Sequence, residues 1–212
     1  MSNVESGYYV TQELMHWKPL CEEWILLNER FSRVQGGEEK AYAYREIPNV
    51  SMLASSAWRC GNVALQEFLL NKGGTDTGKG RCDLWIKYPD DGHEEFIEAK
   101  FEWQSLNPNK PLSRSLSTME KAVADLDKSG ICSSEGQSIA LSFLCVYTAR
   151  HYSDSGEKDI SRLVDHFVDG RDAIGWHALA WTFPKEDFEY WKNYSDEKID
   201  IPLGIVMMAR QA

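Results

Sequence analysis

No apolar run in this 212-residue chain approaches the roughly eighteen residues that a membrane-spanning helix requires, which argues against a helical membrane protein. The opening Met1-Ser2-Asn3-Val4-Glu5-Ser6-Gly7 has neither the basic nor the apolar region of a secretory leader, so a cytoplasmic location is expected. Cysteine is scarce and unpatterned: five residues, at 21, 60, 82, 132 and 145, form no Cys-x-x-Cys pair and lie mostly in apolar segments. An odd, scattered set reads as small buried thiols, not as a disulfide framework or as zinc ligands. Basic residues are also in short supply, with 23 Lys and Arg against 33 Asp and Glu, for a net charge of −10. That balance runs against a broad non-specific surface for nucleic acid, because backbone affinity depends on neutralising phosphates. The deficit is uneven. Residues 111–150 carry four acidic and four basic side chains, whereas 151–212 carry twelve acidic against seven basic, which leaves an acidic C-terminal portion free to sit away from a binding groove.

What is present is enough apolar residue, 42%, to bury a sizeable core, and the length favours one domain over 1–212. Residues 1–17 read as a polar lead-in with scattered aromatics. A helix is expected from Lys18-Pro19, since proline suits a first-turn position and Leu20, Trp24, Leu27 and Phe31 follow at helical spacing. After Gln35-Gly36-Gly37 and a connector over 41–48, a second helix is expected from about Val50 to Lys72, with Leu53, Ala57, Cys60, Ala64 and Phe68 as its stripe and Gly73-Gly74 as its stop. Further on, the pattern predicts a helix over 113–128 with Leu116, Met119, Val123 and Leu126 inward, and a strand over 138–148 buried on both faces. A helix over 159–168 and strands over 178–183 and 202–208 follow, the last two separated by an aromatic, charged stretch from Lys185 to Lys198.

The most informative segment lies between residues 82 and 101. Cys82-Asp83-Leu84-Trp85-Ile86 and Glu95-Phe96-Ile97-Glu98-Ala99-Lys100-Phe101 alternate apolar and polar residues, and Pro89-Asp90-Asp91-Gly92 has the chemistry of a hairpin turn. The two strands should pair antiparallel. A side-chain period of two puts Glu98 and Lys100 on one face, and Asp83 lies beside them if the register allows. Two carboxylates and an ammonium then converge, a combination suited to phosphodiester hydrolysis. Hard oxygen ligands hold Mg²⁺, the metal polarises phosphate and acidifies water, and a lysine orients the nucleophile or offsets developing charge. The same residues on a solvated strand face would only pair across the sheet.

Asp83 on one strand and Glu98-Ala99-Lys100 on the next resemble the signature of the PD-(D/E)XK, or restriction-endonuclease-like, nuclease superfamily. The chain departs from it at the position before the aspartate, which is Cys82 where the named motif has proline. The resemblance implies an α/β fold with an αβββαβ core, a central mixed sheet flanked by helices, here over about residues 50–148. A helical addition over 1–49 and an elaboration over 149–212 lie outside that core. It further implies Asp83 and Glu98 as ligands of Mg²⁺ or Mn²⁺, Lys100 as the residue that positions water, and the Ala99 carbonyl as a further reach toward the metal. Members of the superfamily place another acidic ligand on the helix before the strands, and by position Glu67 is the candidate, although an ordinary solvated glutamate fits the same place. The implied partner is nucleic acid, with DNA ahead of RNA and no membrane, leaving room for a homodimer or another protein partner. The alternative reading is an inactive nuclease-fold module serving protein interaction or regulation, which the acidic balance suits.

Other constellations carry less. Gly73-Gly74-Thr75-Asp76-Thr77-Gly78-Lys79-Gly80 lacks the Ser or Thr that follows the lysine of a phosphate-binding loop and precedes a strand where such a loop precedes a helix; Lys79 and Arg81 stand as contacts for substrate phosphate. His93-Glu94-Glu95 lacks a second histidine at zinc spacing, histidines 16, 151, 166 and 177 show no ligand spacing, and no Gly-x-Ser-x-Gly occurs. Trp24, Trp85 and Trp181 fall in apolar runs and are expected in the core, while Trp103 lies just beyond the lysine, near where a substrate would pass.

Overall fold

The computed structural model describes residues 6–71, 79–90, 92–106, 113–129, 136–149, 156–193 and 200–212. Strand β1 (Ser6–Val10) leads through a 3-10 turn (Gln12–Trp17) into helix α1 (Lys18–Gln35), and helix α2 (Glu46–Arg59) follows. Strands β2 (Val63–Asn71), β3 (Lys79–Lys87) and β4 (Glu94–Ser105) come next, then helix α3 (Ser113–Ser129) and strand β5 (Gln137–Ala149). Helices α4 (Gly156–Asp169) and α5 (Arg171–Ile174), strand β6 (Ala178–Thr182), helix α6 (Lys185–Asn193) and strand β7 (Asp200–Gln211) complete the order. The strands form one seven-stranded sheet in the order β1-β6-β7-β5-β4-β3-β2. Only β4 and β5 run parallel, joined by α3 as a crossover; every other pairing is antiparallel.

Helices cover both faces of this mixed sheet. On one, Trp17, Leu20 and Trp24 from the chain's start and Leu53 and Ala57 of α2 pack on Leu84, Ile97, Phe143 and Met207. On the other, Met119 and Leu126 of α3 and Ile160, Leu163 and Phe167 of α4 pack on Leu144, Leu179 and Val206. Strand β5 therefore supplies Leu141, Phe143 and Cys145 to one core and Ala140, Leu144 and Val146 to the other, the two-sided burial expected of its unbroken apolar run. No helix among the described residues is long and apolar enough to cross a membrane.

Several elements differ from the pattern reading. The second helix begins earlier, at Glu46, and stops at Arg59, after which Val63–Asn71 is strand. Gly61, at φ +85°, turns the chain out of the helix, with its amide on Trp58 O at 3.1 Å and the Asn62 amide on Ala57 O at 2.9 Å. The stripe at 60, 64 and 68 misleads because a spacing of four fits the period of a strand as well as that of a helix. The expected stop at Gly73-Gly74 lies outside the described residues. The lead-in over 1–17 contains a true edge strand, Ser6–Val10 on β6, and part of the stretch from Lys185 is helix. In α1 the buried side is Leu20, Cys21, Trp24, Ile25, Asn28 and Ser32, while Leu27 and Phe31 are only half-buried. Two polar residues replace them inward because they have partners: Asn28 donates to Trp24 O at 2.8 Å and Ser32 Oγ to Asp187 at 3.1 Å.

The end of α1 yields a stability prediction. Gly36 and Gly37 both have positive φ, at +60° and +76°, and their amides close the helix on Arg33 O and Ser32 O. A Cβ at Gly36 meets nothing within 4 Å, but one at Gly37 would sit 2.2 Å from the Glu186 carbonyl oxygen. Gly37→Ala should destabilise by about 1–3 kcal/mol, and by more than Gly36→Ala, as read by urea denaturation. Equal losses at the two positions would show that the clash with Glu186 is relieved by movement.

Candidate active site

Asp83 lies on β3, and Glu98 and Lys100 lie on β4. The β3–β4 pairing runs from Lys87↔Glu94 to Leu84↔Ile97 and ends there, one residue short of Asp83 and Glu98. Where the ladder stops, a side chain replaces it: Asp83 Oδ2 accepts the Ala99 amide at 2.7 Å. This bond ties the half-buried aspartate to the backbone between Glu98 and Lys100, and Glu98 beside it is 8% exposed. Lys100 Nζ donates to Asp125 of α3 at 3.1 Å and to Ala99 O at 2.9 Å. Burial alone would lower the Lys100 pKa, but the hydrogen bond to Asp125 and the charges of Glu46, Asp125 and Asp83 outweigh it and raise it. Lys100 is therefore a cation at neutral pH, fitted to donate a hydrogen bond and not to abstract a proton.

Glu46 is the site residue that pattern reading missed. It opens α2, and its half-buried carboxyl is pushed upward first by burial and then by the charge of Asp83, with Glu67 and Asp125 adding to the repulsion and Lys100 opposing it. The residue before it, Arg45, has φ +71°, a conformation costly for a side chain with a Cβ. Glu67 is not on a helix. It lies on β2, exposed, with φ +51°, between the pairs Gln66↔Leu84 and Phe68↔Cys82, and it bonds Arg81 at 3.2 Å. The acidic residue on the helix before the strands is Glu46, in the first turn of α2, and not Glu67. Among the described residues, Arg45 and Glu67 are the only non-glycine positions with positive φ, and both border the carboxylate group.

Among the described residues, the trio of metal-ligating side chains whose ligand atoms all lie within 4.8 Å of one another is His16, His93 and Glu95, and the acidic side chains around Asp83 are not drawn together as closely. Asp83, Glu98 and Glu46 offer hard oxygens, and the raised Glu46 carboxyl marks negative charge that Lys100 alone does not offset. The Ala99 carbonyl already accepts Lys100 Nζ. Glu46→Gln should consequently raise the melting temperature of the metal-free protein, since it removes one of several repelling charges. Added Mg²⁺ should stabilise the natural chain more than the variant, which differential scanning calorimetry with and without metal checks. A melting temperature that falls in the variant would make Glu46 a structural ion-pair partner instead.

Other expectations fall as follows. Trp24 and Trp181 are core residues, whereas Trp85 is half-buried, stacked on Phe68 and donating to Glu94 at 3.1 Å. Trp103 packs against Phe101 and Tyr147 and joins the core on the α1–α2 side, the face of β4 opposite Lys100 by alternation. Arg81 is exposed, and the Lys79 side chain, Cys132, His151 and the loop over 73–78 lie outside the described residues. Burial pushes the thiols of Cys21 and Cys82 up to about 12 and that of Cys145 well above its ordinary value, so none is a nucleophile at neutral pH. No protein-family model matches the chain, and comparison with curated proteins and with solved structures gives no significant match.

Proposed function

We propose that the chain is a metal-dependent nuclease of the restriction-endonuclease-like class, hydrolysing phosphodiester bonds in DNA. The observation that carries this reading is the convergence at the end of the β3–β4 ladder, where Asp83 binds the backbone between Glu98 and Lys100. The order α2-β2-β3-β4-α3-β5, with β4 and β5 parallel, supports it as the αβββαβ arrangement that the resemblance implies.

In this reading Asp83, Glu98 and Glu46 hold Mg²⁺ or Mn²⁺. The bound cation supplies Lewis acidity toward the phosphate and acidifies a water. The Ala99 amide fixes the Asp83 carboxylate, and Asp125 fixes the Lys100 ammonium beside it. Lys100 then donates to the attacking water or to the charge that develops on phosphate oxygen. Because the chain is acidic overall, local positive charge at the site carries the attraction for a polyanion.

The test is cleavage of supercoiled and single-stranded DNA, with RNA in parallel, by the purified chain in Mg²⁺ or Mn²⁺ at low salt, where weak phosphate contacts are least screened. Metal-dependent nicking supports the reading. If no nucleic acid is cut and calorimetry detects no divalent-metal binding, the reading fails in favour of a non-catalytic interaction module.

A further inference from the structure

A second group of metal-ligating side chains lies on the other face of β4. Glu95 precedes Glu98 by three residues, so alternation points it to the opposite side and the rise of a strand separates the two by about 10 Å. It is fully buried. Its carboxylate accepts Trp17 Nε1 at 2.9 and 3.0 Å and the Tyr88 hydroxyl at 2.9 Å, which together fix its plane. Facing Glu95 Oε1 are two imidazole nitrogens, His16 Nε2 at 2.7 Å and His93 Nε2 at 3.7 Å. One ligand atom from each of the three residues can be chosen so that all lie within 4.8 Å of one another.

We infer that His16, His93 and Glu95 form a binding site for a zinc ion. Tetrahedral zinc with bonds of about 2.0–2.1 Å needs ligand atoms roughly 3.4 Å apart, and the observed 2.7 and 3.7 Å bracket that value. Both side chains are about one third exposed, which gives the rings room to turn and gives the ion a way in. The His93 Nε2 atom itself is buried, so the ligating edge faces inward while the ring rim meets solvent. Two imidazoles and one carboxylate make a donor set suited to zinc, with water in the fourth position. Trp17 and Tyr88 play the part of the outer partners that orient a ligating carboxylate. On coordination, the proton that His16 Nε2 shares with Glu95 leaves, to Nδ1 or to solvent. The ion would join three parts of the chain, since His16 belongs to the 3-10 turn after β1, His93 to the β3–β4 turn and Glu95 to β4.

This site is independent of the nuclease reading, and the experiment keeps them apart. Zinc chloride is titrated calorimetrically into the metal-free full chain, into His16→Ala and His93→Ala, into Tyr88→Phe, and into Asp83→Asn combined with Glu98→Gln. The Asp83/Glu98 double variant should keep the zinc event assigned to this site; if the proposed nuclease reading holds, the natural chain shows a second event at the carboxylates, which the double variant lacks. The histidine variants should lose that event whatever remains at the carboxylates, and Tyr88→Phe, which keeps every ligand, should weaken it roughly 10–100-fold. Cobalt in place of zinc should give the natural chain the intense visible bands of a four-coordinate ion, a readout that does not require any variant to fold. Absence of zinc binding by the natural chain, binding unchanged by loss of His93, or binding lost in the double variant would each overturn the proposal.

Discussion

On the proposed nuclease reading, Lys100→Ala should sharply cut metal-dependent nicking of DNA while leaving calorimetric Mg²⁺ binding in place, whereas Glu98→Ala should lose both. The split follows from what each side chain does. Glu98 is a buried oxygen donor beside Asp83, and in the proposed site its loss removes one of the ligands of the cation. Lys100 supplies no metal ligand; its ammonium is held by Asp125 at 3.1 Å and aims a positive charge at the cluster. Removing a single group that stabilises developing charge costs about 10²–10³ in kcat, and the loss should sit in kcat more than in KM. Since the surroundings raise the Lys100 pKa, the pH profile of the natural chain should show no rise that disappears with Lys100. Retained nicking in Lys100→Ala would sink the assigned role, and lost metal binding in the same variant would mean that the lysine organises the carboxylates instead of acting beyond them.

Much of this arrangement was legible in the sequence because it depends on local rules. Asp83, Glu98 and Lys100 sit on strands whose alternation is plain, and a hairpin joins them. With a period of two, register alone decides whether they share a face. The pairing Leu84↔Ile97 sets that register. The carboxylate of Glu46 is illegible for the same reason as the end of the second helix. A run from Val50 to Asn71 presents apolar residues every four positions, and nothing local distinguishes helix from strand in its second half until Gly61 is seen to take positive φ. Once that boundary moves, Glu67 becomes a strand residue and Glu46 becomes the first-turn residue of α2.

The His16, His93 and Glu95 group was illegible for a different reason. His16 and Glu95 are separated by seventy-nine positions, and spacing rules for metal ligands describe neighbours on one helix or loop. Only the tertiary fold, which lays the turn after β1 against the β3–β4 hairpin, brings the nitrogen and the carboxylate together. The buried Asp187 is a similar case: it lies in the aromatic, charged stretch from Lys185 to Lys198, yet the residue is fully buried. It accepts the Tyr42 hydroxyl and Ser32 Oγ, tying α6 to α1.

That burial leads to a pH-dependent stability. Burial raises the Asp187 pKa from 3.8 to about 6, with the Tyr42 bond, the Lys40 charge and the Ser32 bond opposing the rise and Glu186 adding to it. A carboxyl raised on folding favours the native state when protonated. Its contribution is fully present below about 3.8, falls as pH rises through the interval up to about 6, and is gone above it. Over that interval the loss is on the order of 3 kcal/mol, from about two pKa units at about 1.36 kcal/mol each. Asp187→Asn keeps an oxygen that accepts from Tyr42 and Ser32 but never ionises. Relative to the natural chain, the variant should gain stability steadily from pH 4 to pH 6 and hold a nearly constant advantage beyond. Urea melts of both chains at a series of pH values measure the difference directly, and taking the difference removes the titration of every other carboxylate common to the two. A stability difference that does not change with pH would show that Asp187 ionises in the native state as readily as in the unfolded chain, and that its charge is balanced by Lys40.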